Sequence, residues 1–296
     1  ASTSAMIVKN GKQIEGDSIR CPYHGWRYNE HGDVQDIPYH DGPCPKSASI
    51  RSYPVVDNMG CVMAWYDPEG REPDYDVPFL PEWDDPQWVR WELDHLGELP
   101  VHPQEILDNM CDVAHLGPTH GAPSEYFDNE ARDHVFIQRQ GGPMQLYNSY
   151  LYTTTWYTGP GILLSKQVWA DTVVYELIAN TPVDDGQSKC WHGCLVRGSE
   201  GGATAEDKAA AKEIQAGALE AFAADFNVWQ YKRPALKIMQ LKTDGPFRTG
   251  RKWYSQFYAT PEGAEAIRSE VNGIHLTEGM TTPAEANHSI DDGLPI

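Results

Sequence analysis

The segment from Asn109 to His120, which reads Asn-Met-Cys-Asp-Val-Ala-His-Leu-Gly-Pro-Thr-His, constrains this chain more than any other. It brings Asp112, His115 and His120 close enough in sequence to share one metal ion. Two imidazoles and a carboxylate are a ligand set for ferrous iron that leaves coordination positions open. The segment is therefore expected to fold so that its two histidines meet.

The spacing of these residues predicts how the meeting occurs. Asp112 and His115 are three positions apart and would share one face of a helix. His120 is out of phase with that helix, and Gly117-Pro118 supplies the break. A further ligand must come from elsewhere, and Asp225, near the end of a long predicted helix, is the candidate. Each residue alone fits an ordinary buried histidine or a solvated helix acid; the joint pattern favours the metal.

A second motif lies upstream, at Cys21-Pro-Tyr-His24-Gly-Trp26. It looks like the second half of a Rieske [2Fe–2S] site, in which two cysteines hold one iron and two histidines the other. The first half, Cys-x-His, is expected roughly fifteen to twenty residues earlier, where the printed sequence has neither residue type. We therefore expect a truncated or cleaved N-terminus. Cys190-Trp-His192 has the Cys-x-His form, but it lies in an alternating run that predicts a strand.

Composition and charge limit the classes of protein to which this chain can belong. The chain has 296 residues, 40% of them hydrophobic, which suffices for two domains with cores. Its formal net charge of −20 argues against nucleic-acid binding and suits a partner with a basic docking patch. No signal peptide or membrane span is evident, so a cytoplasmic protein without a membrane span is expected. The six cysteines are spread thinly, and all but Cys21 are expected to be reduced thiols.

The pattern along the chain predicts an α+β protein of two domains. Residues 1–92 are rich in Gly, Pro and Asp with short strand-like runs, which predicts a small all-β domain. Residues 93–296 would form the domain that holds the mononuclear metal. Its predicted elements are a helix around Pro103–His115, strands at Val135–Gln140, Leu146–Thr158, Ile162–Trp169 and Thr172–Thr181, a turn at Gly141-Gly142-Pro143, a long helix Thr204–Lys232 capped by Thr204 and Asp207, and a polar surface tail from Pro261.

The two motifs together resemble the oxygenase (alpha) component of Rieske non-haem iron oxygenases. Within that family the chain looks most similar to the steroid and sterol branch, which includes the 3-ketosteroid 9α-hydroxylase oxygenases and the cholesterol 7-desaturases. The runs that carry this closer likeness are Pro123-x-x-Tyr126-Phe127, Ala224-Asp225-Phe-Asn-Val-Trp229-x-x-Lys232 and Arg251-Lys-Trp253-Tyr254-x-Gln256-Phe257-Tyr258.

The resemblance implies a fold, a site and partners. It implies an all-β Rieske domain followed by a helix-grip catalytic domain, an antiparallel sheet over a long helix. Cys21 and His24 would hold part of the [2Fe–2S] cluster, and His115, His120 and Asp225 the mononuclear Fe(II). In a homotrimer, Asp112, supported by Asn109, would bridge His115 to a cluster histidine of the next subunit. Electrons would come from NAD(P)H through a ferredoxin or a flavin/iron–sulfur reductase.

The implied reaction is hydroxylation of a hydrophobic, steroid-like substrate with O2. Aromatic and aliphatic side chains are candidates for the pocket, with core packing as the alternative for each: Tyr126, Trp156, Leu163, Trp169, Trp229 and Phe257. Sterol desaturation stays open, as does demethylation of an aromatic acid or methyl ether, for which Arg139 and Lys166 are the possible acid-binding bases. A Rieske ferredoxin would leave the second domain unexplained. An inactive relative without the cluster is the remaining alternative.

Overall fold

The structure, a computed structural model, describes residues 13–144, 148–233, 235 and 237–282. The chain divides into two compact units, residues 1–76 and 77–296. The boundary predicted near Glu92 differs from this division. Strand β7 (Trp88–Val89) pairs with β14 (Gln187–Arg197) of the second unit's sheet, so Trp88 and Val89 belong to that sheet's edge.

The first unit is all-β in its described part. Its first four strands form an antiparallel sheet in chain order, and the next two form a hairpin. Met59 and Gly60 at the hairpin turn have φ values of 51° and 77°, the positive angles that a tight two-residue hairpin turn requires. The strands are β1 Ile14–Glu15, β2 Ser18–Arg20, β3 Arg27–Tyr28, β4 Val34–Asp36, β5 Val55–Asn58 and β6 Cys61–Ala64.

The second unit is built on a nine-stranded antiparallel sheet. Six long strands, from β9 to β14, pair in chain order, and each contains β-branched or aromatic residues, which favour strands. The edges are β15 beside β9, and β7 and β8 beside β14. The further strands are β8 Asp94–Leu99, β9 Tyr126–Arg132, β10 Val135–Met144, β11 Ser149–Thr158, β12 Ile162–Trp169, β13 Thr172–Asp184 and β15 Gly273–Leu276.

The turn predicted at Gly141-Gly142-Pro143 is wrong, because β10 continues through these residues to Met144. Glycine is needed at both positions because neighbouring residues approach the backbone closely. A Cβ on Gly142 would overlap the carbonyl oxygen of Pro123, and one on Gly141 would overlap the ring of Tyr126. A run whose composition is typical of a turn is therefore a strand that packs closely on a neighbouring segment.

Five α-helices lie in the described part of the second unit. The longest, α3, begins at the predicted capping box: Asp207 N donates to Thr204 Oγ1, and the Asp207 carboxylate accepts from Thr204 N. The tail predicted from Pro261 as a surface wrap instead forms α5 and then β15, which pairs with β9. The helices are α1 Gln104–Cys111, α2 Leu116–His120, α3 Ala205–Trp229, α4 Phe247–Tyr254 and α5 Pro261–Val271, with 3-10 turns at Pro81–Asp84 and Ser255–Tyr258.

One face of this sheet packs against the helices and is called the inner face below. Phe136, Tyr157, Leu163 and Ile178 lie on it in register and share a core cluster with residues of α1, α3 and α4. This antiparallel sheet over a long helix is the predicted helix-grip architecture, in a chain that is α+β as expected. Within the described ranges, no helix is both long and apolar enough to cross a membrane.

Candidate metal centre

The segment that carries the two histidines breaks earlier than the sequence predicts. Helix α1 ends at Cys111 because Asp112 adopts an extended conformation, with φ −95° and ψ 90°. The Asp112 carboxylate accepts hydrogen bonds from Ala114 N at 3.1 Å and His115 N at 3.3 Å, a local turn typical of aspartate. Pro118, expected to make the break, instead sits in the first turn of α2, where its missing N–H is not needed.

This turn brings His115 and His120 together at the two ends of α2. Their ring centroids are 5.0 Å apart with an interplanar angle of 81°. Gly121 then ends the helix with a left-handed φ of 65°. The short helix, rather than one face of a continuous helix, sets the spacing of the two imidazoles.

Asp225 joins the two histidines from α3. Its Oδ1 lies 3.5 Å from His120 Nε2 and 4.0 Å from His115 Nε2. One ligand atom from each of the three side chains lies within 4.8 Å of the others, and in the described part of the chain this is the one such group of three metal-binding side chains. Residues far apart in sequence thus converge on a single point.

The donor set fits a divalent transition metal. Asp225 is 7% exposed, and no lysine or arginine of the described chain pairs with it, so its buried charge requires another cation. His115 Nε2 is buried without a hydrogen-bond partner. Two imidazole nitrogens and one carboxylate match the ligand set of the facial triad of non-haem iron.

A hydrogen bond orients the His115 ring toward this point. His115 Nδ1 lies 2.5 Å from the carbonyl oxygen of Asp112, which can only accept, so Nδ1 carries the proton. The lone pair then resides on Nε2, the atom that faces Asp225. Backbone hydrogen bonding of this kind fixes the tautomer that metal binding requires.

Comparison with known proteins agrees with this geometry. Residues 64–258 match the 3-Ketosteroid 9alpha-hydroxylase C-terminal domain, and residues 4–54 match the Rieske [2Fe-2S] domain. The chain belongs to the Rieske non-haem iron oxygenases. It is an oxygenase component, an oxidoreductase of a family that in general uses O2 and relayed electrons.

Individual relatives place this Rieske oxygenase among similar proteins. A 3-ketosteroid-9-alpha-monooxygenase oxygenase component of Rhodococcus rhodochrous is 27% identical over 296 residues, covering 93% of this chain and 78% of the relative. A cholesterol 7-desaturase of Caenorhabditis elegans is 27% identical over 292 residues, covering 84% and 64% of the two chains. The structure of Pseudomonas putida CBB5 NdmA with caffeine has a TM-score of 0.67 at 17% identity, over 90% of this chain and 80% of that one, which shows a shared fold.

The predicted half of a cluster site, Cys21 and His24, lies in the part of the Rieske domain that the structure describes. Cys21 is buried and His24 exposed, on a tight turn closed by hydrogen bonds from Cys21 N to Trp26 O and from Gly25 N to Cys21 O. The domain match supports a [2Fe–2S] cluster, and Cys21 and His24 fit one cysteine and one histidine of its four protein ligands. The expected position of the first Cys-x-His lies outside the described residues.

Asp112, predicted to relay electrons, and Asn109, predicted to support it, lie beside the candidate metal centre. Asp112 is partly exposed, with its Oδ1 3.9 Å from His115 Nδ1. Asn109 accepts the Asp112 N–H on its backbone oxygen at 3.0 Å and so helps to end α1. A side-chain role for Asn109 stays a prediction.

The candidate pocket residues separate into groups. Leu163 and Trp229 share the core cluster between the sheet and the helices, and Phe257 packs against it. Trp169 packs with a smaller cluster beside Ala211 of α3. Tyr126 and Trp156 lie at register positions of the opposite face of the sheet, away from the helices. Period-two alternation in the strands would have separated these two from Leu163.

Sequence reasoning missed a buried charged network on the inner face of this oxygenase. His192, fully buried on β14, has Nε2 3.0 Å from Glu176 Oε1 and Nδ1 3.2 Å from Asp94 Oδ2. Burial disfavours its charge, but the two carboxylates outweigh burial and raise the pKa of the imidazole above its ordinary value. Gln215 of α3 donates to Asp94, so the network joins the sheet to the helix that carries Asp225. Cys190 and His192 thus lie in a strand, as expected.

Proposed function

We propose that this oxygenase hydroxylates an uncharged, largely apolar, steroid-like substrate at a ferrous centre held by His115, His120 and Asp225. The convergence of these three side chains carries the proposal. A ferrous ion bound there supplies the one-electron and O2 chemistry that side chains lack. The relatives named for 3-ketosteroid and cholesterol reactions support the substrate class.

The protein's part is to hold the ligands and the substrate. The carbonyl of Asp112 keeps the proton of His115 on Nδ1, and the buried Asp225 carboxylate would balance part of the charge of the metal ion. Leu163, Trp229 and Phe257, with Trp169 beyond them, offer apolar surface between the sheet and α3. A rigid polycyclic substrate would bury most of its surface against such side chains.

Electron supply is part of the same proposal. NAD(P)H would donate through a separate ferredoxin or reductase, as the name "oxygenase component" of the relatives suggests. Asp112 would carry electrons or a proton toward His115 from a histidine-ligated cluster, within a cytoplasmic homotrimer. Its partly exposed carboxylate, anchored by two backbone N–H groups, supports this role.

The register of the sheet disfavours the aromatic-acid alternative. Arg139 lies on the face opposite the helices, where it is fully buried against Asp128 and Glu130. Lys166 also has an outer-face position, since it pairs with Thr154 and Tyr175. Neither base that sequence reasoning considered is therefore placed to neutralise a carboxylate beside the inner face.

Product mass tests the proposal. The full-length protein, its reductase and a nicotinamide donor are incubated with 3-ketosteroids, sterols, aromatic acids and methyl ethers. Gain of one oxygen on a steroid supports hydroxylation, and loss of two hydrogens would make the enzyme a desaturase. Turnover confined to acids or ethers would refute the steroid assignment. Asp225→Ala and Glu220→Gln, an exposed acid on the same helix, are the inactive and active controls.

A further inference from the structure

The inner face of the sheet carries a row of buried polar side chains beside its apolar core. The row crosses the sheet in register. Each of its members is nine-tenths buried or more. Apolar residues fill the neighbouring row, so the polar row is not needed for packing on the helices. The row consists of Asn129, Gln138, Thr155, Ser165 and Glu176.

Part of this row is already committed to hydrogen bonds. Thr155 and Ser165 bond each other at 2.8 Å, and Glu176 is held by His192 and Gln167. These hydrogen bonds satisfy Thr155, Ser165 and Glu176.

The other half holds uncommitted groups. Asn129 Oδ1 and Thr153 Oγ1 are buried without hydrogen-bond partners. Gln138, only 5% exposed, forms no side-chain hydrogen bond with any residue in the described ranges. Gln138 is the register partner of Asn129, and Thr153 is its diagonal neighbour on β11, within reach of a long side chain. Asn129, Gln138 and Thr153 thus form one cluster, called the polar cluster below.

The polar cluster adjoins the metal-ligand segment. Asn129 Nδ2 donates to the carbonyl oxygen of Met110, in the last turn of α1, at 3.0 Å. Phe127, two residues before Asn129 on the same face, packs with Val113 and Leu116, which flank His115. An unpartnered buried polar group costs roughly 1–3 kcal/mol, so the two unpartnered oxygens of Asn129 and Thr153, beside the metal-ligand segment, require an explanation.

We infer that the polar cluster binds an uncharged oxygen of the substrate, a ketone or a hydroxyl remote from the carbon that is oxidised. The Gln138 amide and the Thr153 hydroxyl can donate to such an oxygen, and Asn129 Oδ1 can accept from a hydroxyl. At the inner-face register positions of β9–β14, in the part described, no lysine or arginine accompanies them, so a carboxylate would lack a counter-charge. This inference takes the substrate's position from the proposed function and adds the group that is recognised.

Paired ligands test the inference without turnover. Affinities of the full-length protein are measured by calorimetry, with no electron donor, for a 3-ketosteroid and its 3-deoxy analogue. The same measurement is made for a polycyclic aryl ketone and its parent hydrocarbon. Wild type should prefer each ketone that binds. Gln138→Leu and Thr153→Val should each reduce that preference by about three- to tenfold, the loss of one hydrogen bond.

Thr154→Val is the matched control. Thr154 is buried like Thr153 and adjacent to it, but lies on the opposite face of the sheet, so its replacement should leave the ketone preference unchanged. Melting temperature without ligand adds an independent readout. Because the Thr153 hydroxyl has no partner, Thr153→Val should not lower it. If Thr153→Val lowers the melting temperature and leaves the ketone preference intact, the polar cluster holds a structural water and the inference is wrong.

The two ligand pairs separate this inference from the proposed function. Wild type preferring neither ketone, or a preference that survives both Gln138→Leu and Thr153→Val, overturns the inference while steroid turnover can still stand. A different result would separate the two ideas in the other direction. If neither steroid binds, but wild type prefers the aryl ketone and both variants lose that preference, the polar cluster still binds a ketone oxygen and the steroid assignment is wrong.

Discussion

His120 Nε2 faces Asp225 Oδ1 across 3.5 Å, although one residue ends α2 and the other lies near the end of α3. The buried carboxylate has two imidazoles and no lysine or arginine beside it in the described chain. We expect Asp225→Ala to reduce bound iron to roughly a tenth or less, because the loss of a ligand should exceed the 10–100-fold effect of losing a residue behind one.

Metal content after desalting measures this effect, together with the rise in melting temperature on adding Fe(II) or Co(II) under anaerobic conditions. Glu220→Gln, on the same helix, should retain both the metal and the shift. If Asp225→Ala holds iron as well as wild type, the three-residue site is wrong.

Asp112→Asn should separate metal binding from electron supply. The asparagine oxygen can still accept the N–H groups of Ala114 and His115, so the turn that orients His115 is retained while the charge is lost. We expect normal iron content and turnover slowed by about tenfold or more. Rapid-mixing measurement of product in a single turnover with a pre-reduced protein distinguishes slow electron arrival from slow chemistry. Wild-type turnover in this variant would remove Asp112 from the relay.

His192 should make stability depend on pH. Its pKa is raised in the folded protein, since Glu176 and Asp94 outweigh the opposing effect of burial. The ionised imidazole therefore adds stability that is fully present below the ordinary value of 6.5 and is lost as pH rises through the folded value. The melting temperature of wild type should exceed that of His192→Gln most at about pH 6, and the gap should narrow toward alkaline pH.

A pH series of thermal unfolding checks this, with His31→Gln, an exposed histidine of the first unit, as the control. A gap that is constant with pH, or that widens toward alkaline pH, would contradict a charged His192.

Two glycines should respond to alanine with opposite signs. At Gly142 the added methyl would overlap the backbone of Pro123, so Gly142→Ala should destabilise the fold by about 1–3 kcal/mol. Gly217 lies in α3 with open space around its Cβ position, so Gly217→Ala should stabilise by roughly 0.5–1 kcal/mol through helix propensity. Denaturant unfolding of both variants measures the two changes. Equal effects would show that Gly142 is not in close contact.

Local signals in the sequence were reliable where one short segment decides the outcome. Thr204 and Asp207 predicted a capping box because both partners lie within one turn of helix. The local reading of Gly141-Gly142-Pro143 was wrong, because the segment against which these glycines pack cannot be seen in the run itself.

By itself the sequence determined the family, the α+β architecture and the candidate ligands, because these depend on motifs and on periodicity along the chain. Tertiary structure decided which side chains meet: the approach of α3 to α2 brings Asp225 to His120, and strand register puts Tyr126 and Trp156 on the face away from Leu163. The sequence also could not show that Gln138 and Thr153 lack side-chain hydrogen-bond partners in the described chain, since the partners of a polar residue in a strand depend on its neighbours in the fold. Pairing across the chain is a property of packing, and packing is not local.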